Sequence, residues 1–229
     1  MRYVITGANR GLGLEFARQL LDRGDDLIAT ARRPDEAEDL QALKKKNSDK
    51  LEIYELDVTD ADSIAELAEA VGDRSVDVLI NNAAVLLRAG GLGDLDEDKL
   101  FKSFDVNTVG PLRVTGALLD ALERGEGAKV VNITSKMGSM ADNSSGGSYA
   151  YRISKAGLNM ATRSMAIDLL PRGIVAFAIH PGWVQTRMGG FNALIDAETS
   201  ISKMLGIIDS VGAESAGTFQ EWSGGLIPW

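Results

Sequence analysis

The sequence predicts an α/β fold, with a doubly wound, seven-stranded parallel sheet flanked by helices. Short apolar runs alternate with helical patterns along all 229 residues, and alternation of this kind produces parallel sheets. A glycine-rich turn joins the first strand to the first helix at the start of the chain. Because no linker or repeat interrupts the pattern, residues 1–229 are expected to form a single domain.

The first strand, residues 3–6, runs into the glycine-rich turn, and apolar residues at helical spacing then predict a helix that ends near Gly24. Glycines allow a sharp turn and a close approach of a pyrophosphate, to which the helix N-terminus offers free N–H groups. We therefore expect a dinucleotide site here rather than a tight turn without a ligand. The candidate contacts are Gly7, Asn9, Arg10, Gly11, Leu12 and Gly13.

A second strand, residues 27–30, is followed by Arg32 and Arg33. In dinucleotide folds this strand end faces the adenosine ribose, where an acidic residue favours NAD and an arginine accommodates the 2′-phosphate of NADP. The two arginines can also be read as solvated surface charges, and for Arg33 this alternative stays open. Arg32 together with Arg10, in a chain of net charge −9, favours phosphate binding and predicts NADP(H) as the cofactor.

Proline, glycine and polar clusters bound the remaining elements. Asn107 and Pro111 disfavour a regular helix interior, so a local irregularity that frees a backbone carbonyl is expected near them. The predicted helices lie at 34–46, 61–71, 96–124, 151–170 and within 187–209, and the predicted strands lie near 51–56, 76–80, 129–134, 174–179 and 217–222.

Ligands of such sheets bind beyond the carboxyl ends of the strands. Asp57 and Val58 follow the third strand as candidate adenine contacts, although Asp57 can equally be a turn residue. Asn81 and Ala83 follow the fourth strand, where small residues let the backbone approach a ribose and an asparagine can also tie loops together. The next two strands lead to Ser135 and Pro181 at the same edge.

Tyr151 and Lys155 lie four residues apart and share one face of a predicted helix. A lysine ammonium favours the phenolate and lowers the phenol pKa from about 10. Reaching a pKa of about 7 requires roughly 4 kcal/mol, so a second positive charge such as an oxidised nicotinamide ring is expected nearby. The pair alone also fits an amphipathic tyrosine beside a surface lysine. The rest of the chain favours a catalytic role for the two residues.

Composition excludes several classes of function. A net charge of −9 opposes nonspecific nucleic-acid binding. The chain has no cysteine and one histidine, His180, so thiolate metal sites and a zinc site of the histidine type are not expected. His180 is expected to pack under the Pro-Gly turn. With no long apolar run and no secretory signal, the protein is expected to be cytoplasmic, without a membrane span.

The chain resembles the short-chain dehydrogenase/reductase family, of Rossmann fold type, over nearly all of its length. Finer features, among them Ser-Lys-Met-Gly-Ser, His-Pro-Gly-Trp-Val-Gln-Thr and the closing Pro228-Trp229, resemble the C-factor and sniffer branch of that family. The ordered motifs are Thr6-Gly7-x-x-x-Gly11-x-Gly13, Asn81-Asn82-Ala83-Ala84, Asn107, Ser135, Tyr151-x-x-x-Lys155 and Pro181-Gly182.

The resemblance implies a catalytic role for four residues. Tyr151 protonates the substrate carbonyl oxygen as general acid, and Lys155 lowers its pKa and binds the nicotinamide ribose. Ser135 hydrogen-bonds the carbonyl oxygen, and Asn107 holds a water in the proton relay to the lysine. The residues expected to engage the carboxamide are Val184 and Thr186.

Ser139 is a rival to Ser135, but Ser135-x-x-Gly138 directly after the strand matches the family pattern. The 16 residues from Ser135 to Tyr151 exceed the usual spacing in the family and predict a loop insertion at the pocket mouth. Five residues there are expected either to line an apolar pocket or to belong to the core. They are Met137, Met140, Trp183, Met188 and Phe191.

The resemblance implies an NADPH-dependent carbonyl reductase that acts on a small carbonyl or alcohol substrate. The alternative is a C-factor-like signalling or nucleotide-sensing protein with little catalysis, and a third hypothesis is an epimerase or dehydratase. A homodimer or homotetramer is expected, built on the helices that hold Asn107 and Tyr151. Small residues at Ala156, Gly157 and Ala161 would permit close approach of the partner.

Overall fold

The computed structural model describes residues 1–229 and contains one seven-stranded sheet with the strand order 3-2-1-4-5-6-7. Every neighbouring pair of strands is parallel, so the predicted fold class is confirmed. The strand order reverses between β1 and β4, which is where such sheets bind ligands. The strands are β1 (Arg2–Ile5), β2 (Asp26–Ala31), β3 (Leu51–Glu55), β4 (Val78–Asn81), β5 (Lys129–Ile133), β6 (Val175–His180) and β7 (Phe219–Glu221).

Helices flank the sheet, and two differ from the sequence prediction. The predicted helix 34–46 begins as a separate 3₁₀ turn at Pro34–Glu36, because Ala37 leaves the helical conformation. The predicted helix 96–124 is divided, as described next. The α-helices are α1 (Gly11–Asp22), α2 (Glu38–Lys46), α3 (Ala61–Val71), α4 (Glu97–Phe104), α5 (Gly110–Ala117), α6 (Leu119–Glu123), α7 (Tyr149–Leu169) and α8 (Ala197–Ser210).

The prediction of one continuous helix from 96 to 124 is wrong, whereas the irregularity expected near Asn107 is confirmed. A π-helical turn at Asp105–Val109 separates α4 from α5. Pro111 has no N–H and cannot bond to the carbonyl of Asn107 four residues earlier, which a regular α-helix requires. The wider turn therefore follows from the proline.

The core consists of two apolar clusters, one on each face of the sheet. β1 sends Tyr3 and Ile5 to one cluster and Val4 to the other, and β5 divides Val130 and Val131 in the same way. Strands buried on both faces are typical of parallel sheets covered by helices. No helix has the length and apolar surface needed to cross a bilayer.

Candidate active site

The glycine turn is held in place from the end of β4. Thr6 Oγ1 accepts hydrogen bonds from the amides of Asn82 and Ala83 at 3.0 and 2.9 Å. Asn82 Nδ2 donates to the carbonyls of Thr6 and Gly7 at 2.9 and 3.0 Å. Gly7 has φ +68°, and a β-carbon there would lie 3.0 Å from Ala83 Cα. Asn81 and Asn82 could be identified from the sequence, but the role of Asn82 in holding the glycine turn could not.

The N-terminus of α1 differs from those of three other helices. The residues that precede α3, α4 and α8 are Asp60, Asp96 and Asp196, and each carboxylate caps its helix by accepting a hydrogen bond from the first turn. The residue that precedes α1 is Arg10, whose side chain forms no capping hydrogen bond, and the first turn of α1 contains no acidic residue. Its free N–H groups and its positive dipole end therefore face no anion of the chain, as a phosphate site requires.

Arg10, Arg32 and Arg187 lie near one another beside this helix end. Burial lowers the pKa of Arg10, and the charges of Arg187 and Arg32 lower it further. Thr186 adjoins the turn, since a β-carbon on Gly11 would lie 3.7 Å from its methyl group. The predicted pairing of Arg10 with Arg32 thus gains Arg187, which the sequence did not reveal because it follows Thr186 in a segment without a regular pattern.

None of these three arginines forms a salt bridge, although the chain carries 33 acidic residues. All three are exposed, as is Arg33, but Arg33 differs in that it pairs with Glu36 at 3.2 Å. The alternative that Arg33 is a solvated surface charge is therefore confirmed. An unpaired cluster of guanidinium groups in an acidic protein is suited to a bound phosphate.

Asp57 forms a turn at the end of β3. Its Oδ1 accepts hydrogen bonds from Thr59 N and Thr59 Oγ1 at 2.9 and 2.7 Å. Burial raises the pKa of Asp57, but the hydrogen bonds from Thr59 and the charge of Arg32 outweigh it and leave the pKa below its ordinary value. The side chain of Val58 is buried against α3 and Gly110. An adenine contact by either residue stays a prediction.

Asn81 serves the core of the sheet. Its Nδ2 donates to Thr115 Oγ1 at 3.2 Å and to Asn132 Oδ1 at 2.9 Å, and Asn132 in turn donates to Thr162. The side chain is 2% exposed and ties β4 to β5 and α5. This is the tying role that the sequence left open, so any cofactor contact at this position would come from the main chain.

Tyr151 and Lys155 lie on α7 in the arrangement that the sequence predicts. Lys155 Nζ is 5.9 Å from the centroid of the Tyr151 ring, and it donates to the carbonyl of Ile133 at 2.9 Å. Lys155 is 2% exposed, and Tyr151 is partly buried. The helix thus places the phenol and the amine side by side at the carboxyl end of β5.

The chain alone does not acidify the phenol, contrary to the expectation from the sequence. Burial raises the pKa of Tyr151 to about 12, and the nearby Ser135 hydroxyl acts in the opposite direction. Burial also lowers the pKa of Lys155 to about 7. Both groups therefore favour their neutral forms, because removal from water penalises either charge. The second positive charge that the sequence argument required must come from outside the chain.

Ser135 and Ser139 have different surroundings. Ser135 lies close enough to the Tyr151 phenol to lower its pKa, and its Oγ accepts a hydrogen bond from the amide of Met137 at 3.2 Å. Ser139 Oγ donates to the carbonyl of Pro228 at 2.6 Å and accepts from the amide of Asp142 at 3.1 Å. The Ser139 hydroxyl is thus fully engaged away from the phenol, which favours Ser135 as the site residue.

Asn107 is completely buried in the π-helical turn. Its Oδ1 accepts from Val85 N at 2.8 Å, and its Nδ2 donates to Val85 O at 2.8 Å and to Ser154 Oγ at 3.0 Å. The side chain therefore links the segment after β4 to α7. Since its polar atoms are engaged, the predicted water would have to bind the main-chain carbonyl, and this role stays a prediction.

The segment after β6 folds back on itself beside the crevice. Ser200 Oγ donates to the carbonyl of Pro181 at 2.7 Å, and the buried Val184 pairs with Ile195 in an isolated bridge. Burial and, to a smaller extent, the charge of Lys136 lower the pKa of His180 to about 4. A neutral, largely buried imidazole agrees with the expected packing role of His180.

The five apolar residues expected at the pocket mouth are not core residues. Met137 is half-buried, and the other four are exposed, with Phe191 at full exposure. Single exposed apolar side chains are common on protein surfaces, so a role of these residues in substrate binding stays a prediction. The exposed four are Met140, Trp183, Met188 and Phe191.

The fold and the site together define a nucleotide-binding α/β protein with a tyrosine–lysine pair at the carboxyl end of β5. Residues 2–193 match the family model described as short chain dehydrogenase. The chain is 50% identical over 154 residues to the C-signal of Myxococcus xanthus, which covers 67% of this chain and 93% of that protein. The chain therefore belongs to the short-chain dehydrogenase/reductase family.

Solved structures agree with this assignment. The carbonyl reductase Sniffer of D. melanogaster superposes with a TM-score of 0.94 and 33% identity, covering 100% of this chain and 99% of that one. An NADPH-bound carbonyl reductase from chicken fatty liver gives a TM-score of 0.94 and 34% identity, with coverage of 100% and 98%. Both similarities extend over residues 194–229, which the family model does not match.

Proposed function

We propose that the protein is an NADPH-dependent carbonyl reductase that transfers a hydride between the nicotinamide and a small carbonyl or alcohol substrate. The observation that carries the proposal is the side-by-side placement of Tyr151 and Lys155 with Ser135 at the phenol. Similarity to an NADPH-bound carbonyl reductase over the whole chain supports the same activity.

The residues around the glycine turn fit NADP(H). The N-terminus of α1, which has no capping side chain, would receive the pyrophosphate. Arg10 and Arg32 would bind the 2′-phosphate, with Arg187 near them. Val184 and Thr186 would contact the carboxamide. When bound, the cofactor supplies the hydride and, in its oxidised form, a positive charge beside the phenol.

In this proposal, Ser135, Tyr151 and Lys155 carry out the proton transfer. Ser135 would hold the substrate oxygen beside the Tyr151 hydroxyl, which donates its proton to that oxygen. Lys155 lies against the tyrosine ring and is neutral or charged near neutral pH, since its pKa is about 7. A group with this pKa would take up a proton from solvent near neutral pH and could pass it to the deprotonated tyrosine, whose pKa is higher.

The surroundings of the crevice favour a medium-sized apolar or aromatic carbonyl compound. Exposed Trp183, Met188 and Phe191 offer apolar area. Burial of such a substrate against them would be driven by the hydrophobic effect.

An activity screen tests this proposal. Purified protein would be mixed with NADPH and a panel of quinones, aldehydes and ketones, and the loss of NADPH absorbance would be followed. We expect oxidation with at least one apolar aromatic member. NADPH binding without oxidation by any member of the panel would refute the reductase.

The 50% identity to the C-signal favours one alternative, a signalling or nucleotide-sensing protein with little catalysis. This alternative requires the same cofactor site but not turnover. Tight NADPH binding combined with a silent activity screen would support it.

Arg32→Asp is expected to reverse the cofactor preference. The change removes a guanidinium from the proposed 2′-phosphate site and adds a charge that repels phosphate, so the NADPH Kd should rise by about a hundredfold while NADH binding weakens little. Nucleotide fluorescence titration measures both constants. Arg33→Asp is the matched control, because Arg33 pairs with Glu36 outside the site. Equal effects of the two variants would contradict the phosphate role of Arg32.

We propose that the protein forms a homodimer or homotetramer through α7. Ile153, Met160 and Ile167 are exposed at intervals of seven residues, which places them along one stripe of the helix. Gly157, which the sequence assigned to close partner approach, is instead covered by Phe104 and Thr108 of the same chain. Light scattering should give at least twice the mass of 24.4 kDa, and a strict monomer would refute the assembly.

A further inference from the structure

The loop that follows Ser135 lies against α7 on one side. A β-carbon on Gly138 would come within 2.7 Å of the carbonyl carbon of Lys155. Because no side chain fits there, the backbone of the loop touches the backbone of the catalytic helix. This contact fixes the distance of the loop from α7 but not its position along the helix.

The other side of the loop is held by residues 226–229, which we call the closing segment. Ser139 Oγ donates to the carbonyl of Pro228 at 2.6 Å, and the amide of Ala141 donates to the carbonyl of Trp229 at 3.1 Å. Ser139 is 2% exposed, so its hydroxyl has no access to bulk water as a substitute partner. Loss of the closing segment would leave this buried donor unsatisfied.

The closing segment is itself anchored on β7. The amide of Ile227 donates to the carbonyl of Phe219 at 2.8 Å, and the Ile227 side chain is buried with Phe219 and Ala178. The ring of Trp229 stacks on Phe219, with a centroid distance of 5.3 Å and an interplanar angle of 22°. The position of the segment is therefore set by the sheet.

We propose that Trp229 and Ser139 are positioning residues that hold the Ser135 hydroxyl at the Tyr151 phenol. The ring of Trp229 stacks on Phe219, and the carbonyl of Trp229 accepts a hydrogen bond from Ala141 in the loop that Ser135 begins. Within that loop, the amide of Met137 donates to Ser135 Oγ. The inference rests on the proposed function, since it assigns Ser135 to the reaction. A displacement of about 1 Å at a reacting group can lower a rate by about a hundredfold.

The first test is Trp229→Ala, with Trp229→Phe as the conservative variant. Trp229→Ala should lower kcat by at least about tenfold, while the KM for the carbonyl compound and the NADPH Kd change by less than about twofold. Trp229→Phe keeps an aromatic ring on Phe219 and should recover most of kcat. Leu226→Ala, at an exposed position of the same segment, is the matched control and should leave kcat unchanged.

The second test repeats Trp229→Ala in a Ser135→Ala background. Because the proposed effect passes through Ser135, Trp229→Ala should lower the residual kcat by less than about twofold there. An equal loss in both backgrounds would overturn the proposal. If Trp229→Ala does not fold, Ser139→Ala, which removes the hydroxyl that bonds to Pro228 and Asp142, allows the same comparison.

Amide hydrogen exchange separates this inference from the proposed function. The amides of Met137 and Ala141 should exchange faster in Trp229→Ala than in the wild type, since both are bonded within the loop or to the closing segment. A wild-type protein that reduces no carbonyl compound would refute the reductase alone. Unchanged exchange in the variant would overturn the positioning role, whatever the outcome of the activity assays.

Discussion

Tyr151→Phe is expected to lower kcat for carbonyl reduction by about a thousandfold, within the range that a general acid contributes. The variant keeps the ring beside Lys155 Nζ and removes only the hydroxyl that would donate the proton. Ser135 remains in place to hold the substrate oxygen, so the loss should fall on kcat rather than on KM. The decrease in NADPH absorbance measures turnover, and nucleotide fluorescence measures binding.

The control for this prediction lies two residues away on the same helix. Tyr149 begins α7, is partly buried, and has Ile153 rather than a lysine four residues later. Tyr149→Phe should therefore change kcat by less than about twofold. Comparable losses in the two variants would indicate damage to the helix instead of a missing acid. A loss of NADPH affinity in Tyr151→Phe would move the role of the hydroxyl from proton transfer to cofactor binding.

The sequence predicted those parts of the site that depend on local order along the chain. Glycines between a strand and a helix define the turn at Gly7–Gly13, and the spacing of Tyr151 and Lys155 alone places them on one face of α7. Strand ends of a parallel sheet meet at one edge, so Ser135 and Pro181 could be assigned to the crevice before any coordinates.

Contacts between segments far apart in the chain were not predictable in this way. Arg187 reaches Arg10 only because the segment after β6 folds back over the glycine turn. Trp229 contacts the loop of Ser139 only because the closing segment returns along β7. Neither pairing has a spacing signature in the sequence.

The direction of the pKa shifts also escaped sequence reasoning. The Tyr151–Lys155 spacing predicts mutual stabilisation of the charged forms, but spacing contains no information on the depth of burial. Desolvation is the largest cause of both shifts and opposes both charges. Whether Tyr151 and Lys155 are charged or neutral therefore depends on the other charges present in the crevice.

Lys155→Met is expected to stabilise the protein without added nucleotide, by about 3 kcal/mol or more near pH 6. Burial lowers the pKa of Lys155 from 10.5 to about 7, so the folded protein binds its proton less tightly than the unfolded chain does. Below pH 7 this difference corresponds to about 5 kcal/mol of lost stability, and loss of the hydrogen bond to Ile133 would offset about 1 kcal/mol of the gain. Urea unfolding curves measure the free energy.

The wild type and the variant should also differ in their pH dependence. Between pH 7 and 10.5 the unfolded chain binds the lysine proton and the folded chain does not, so the stability of the wild type should rise with pH. Above pH 10 the raised pKa of Tyr151 should lower the stability as the pH rises, because the unfolded chain loses its phenol proton before the folded chain does. Lys155→Met should lack the rise, and the exposed Lys45→Met should retain it.

If the unfolding free energy of the wild type is constant between about pH 7 and 9, folded Lys155 keeps its proton. The assignment of Tyr151 and Lys155 as a neutral pair would then be wrong. A rising profile would mean that the chain tolerates a destabilising buried amine at its crevice. Residues retained for function commonly lower stability in this way. NADPH should then stabilise the wild type more than Lys155→Met, since only the wild type presents the amine that the nicotinamide ribose is proposed to bind.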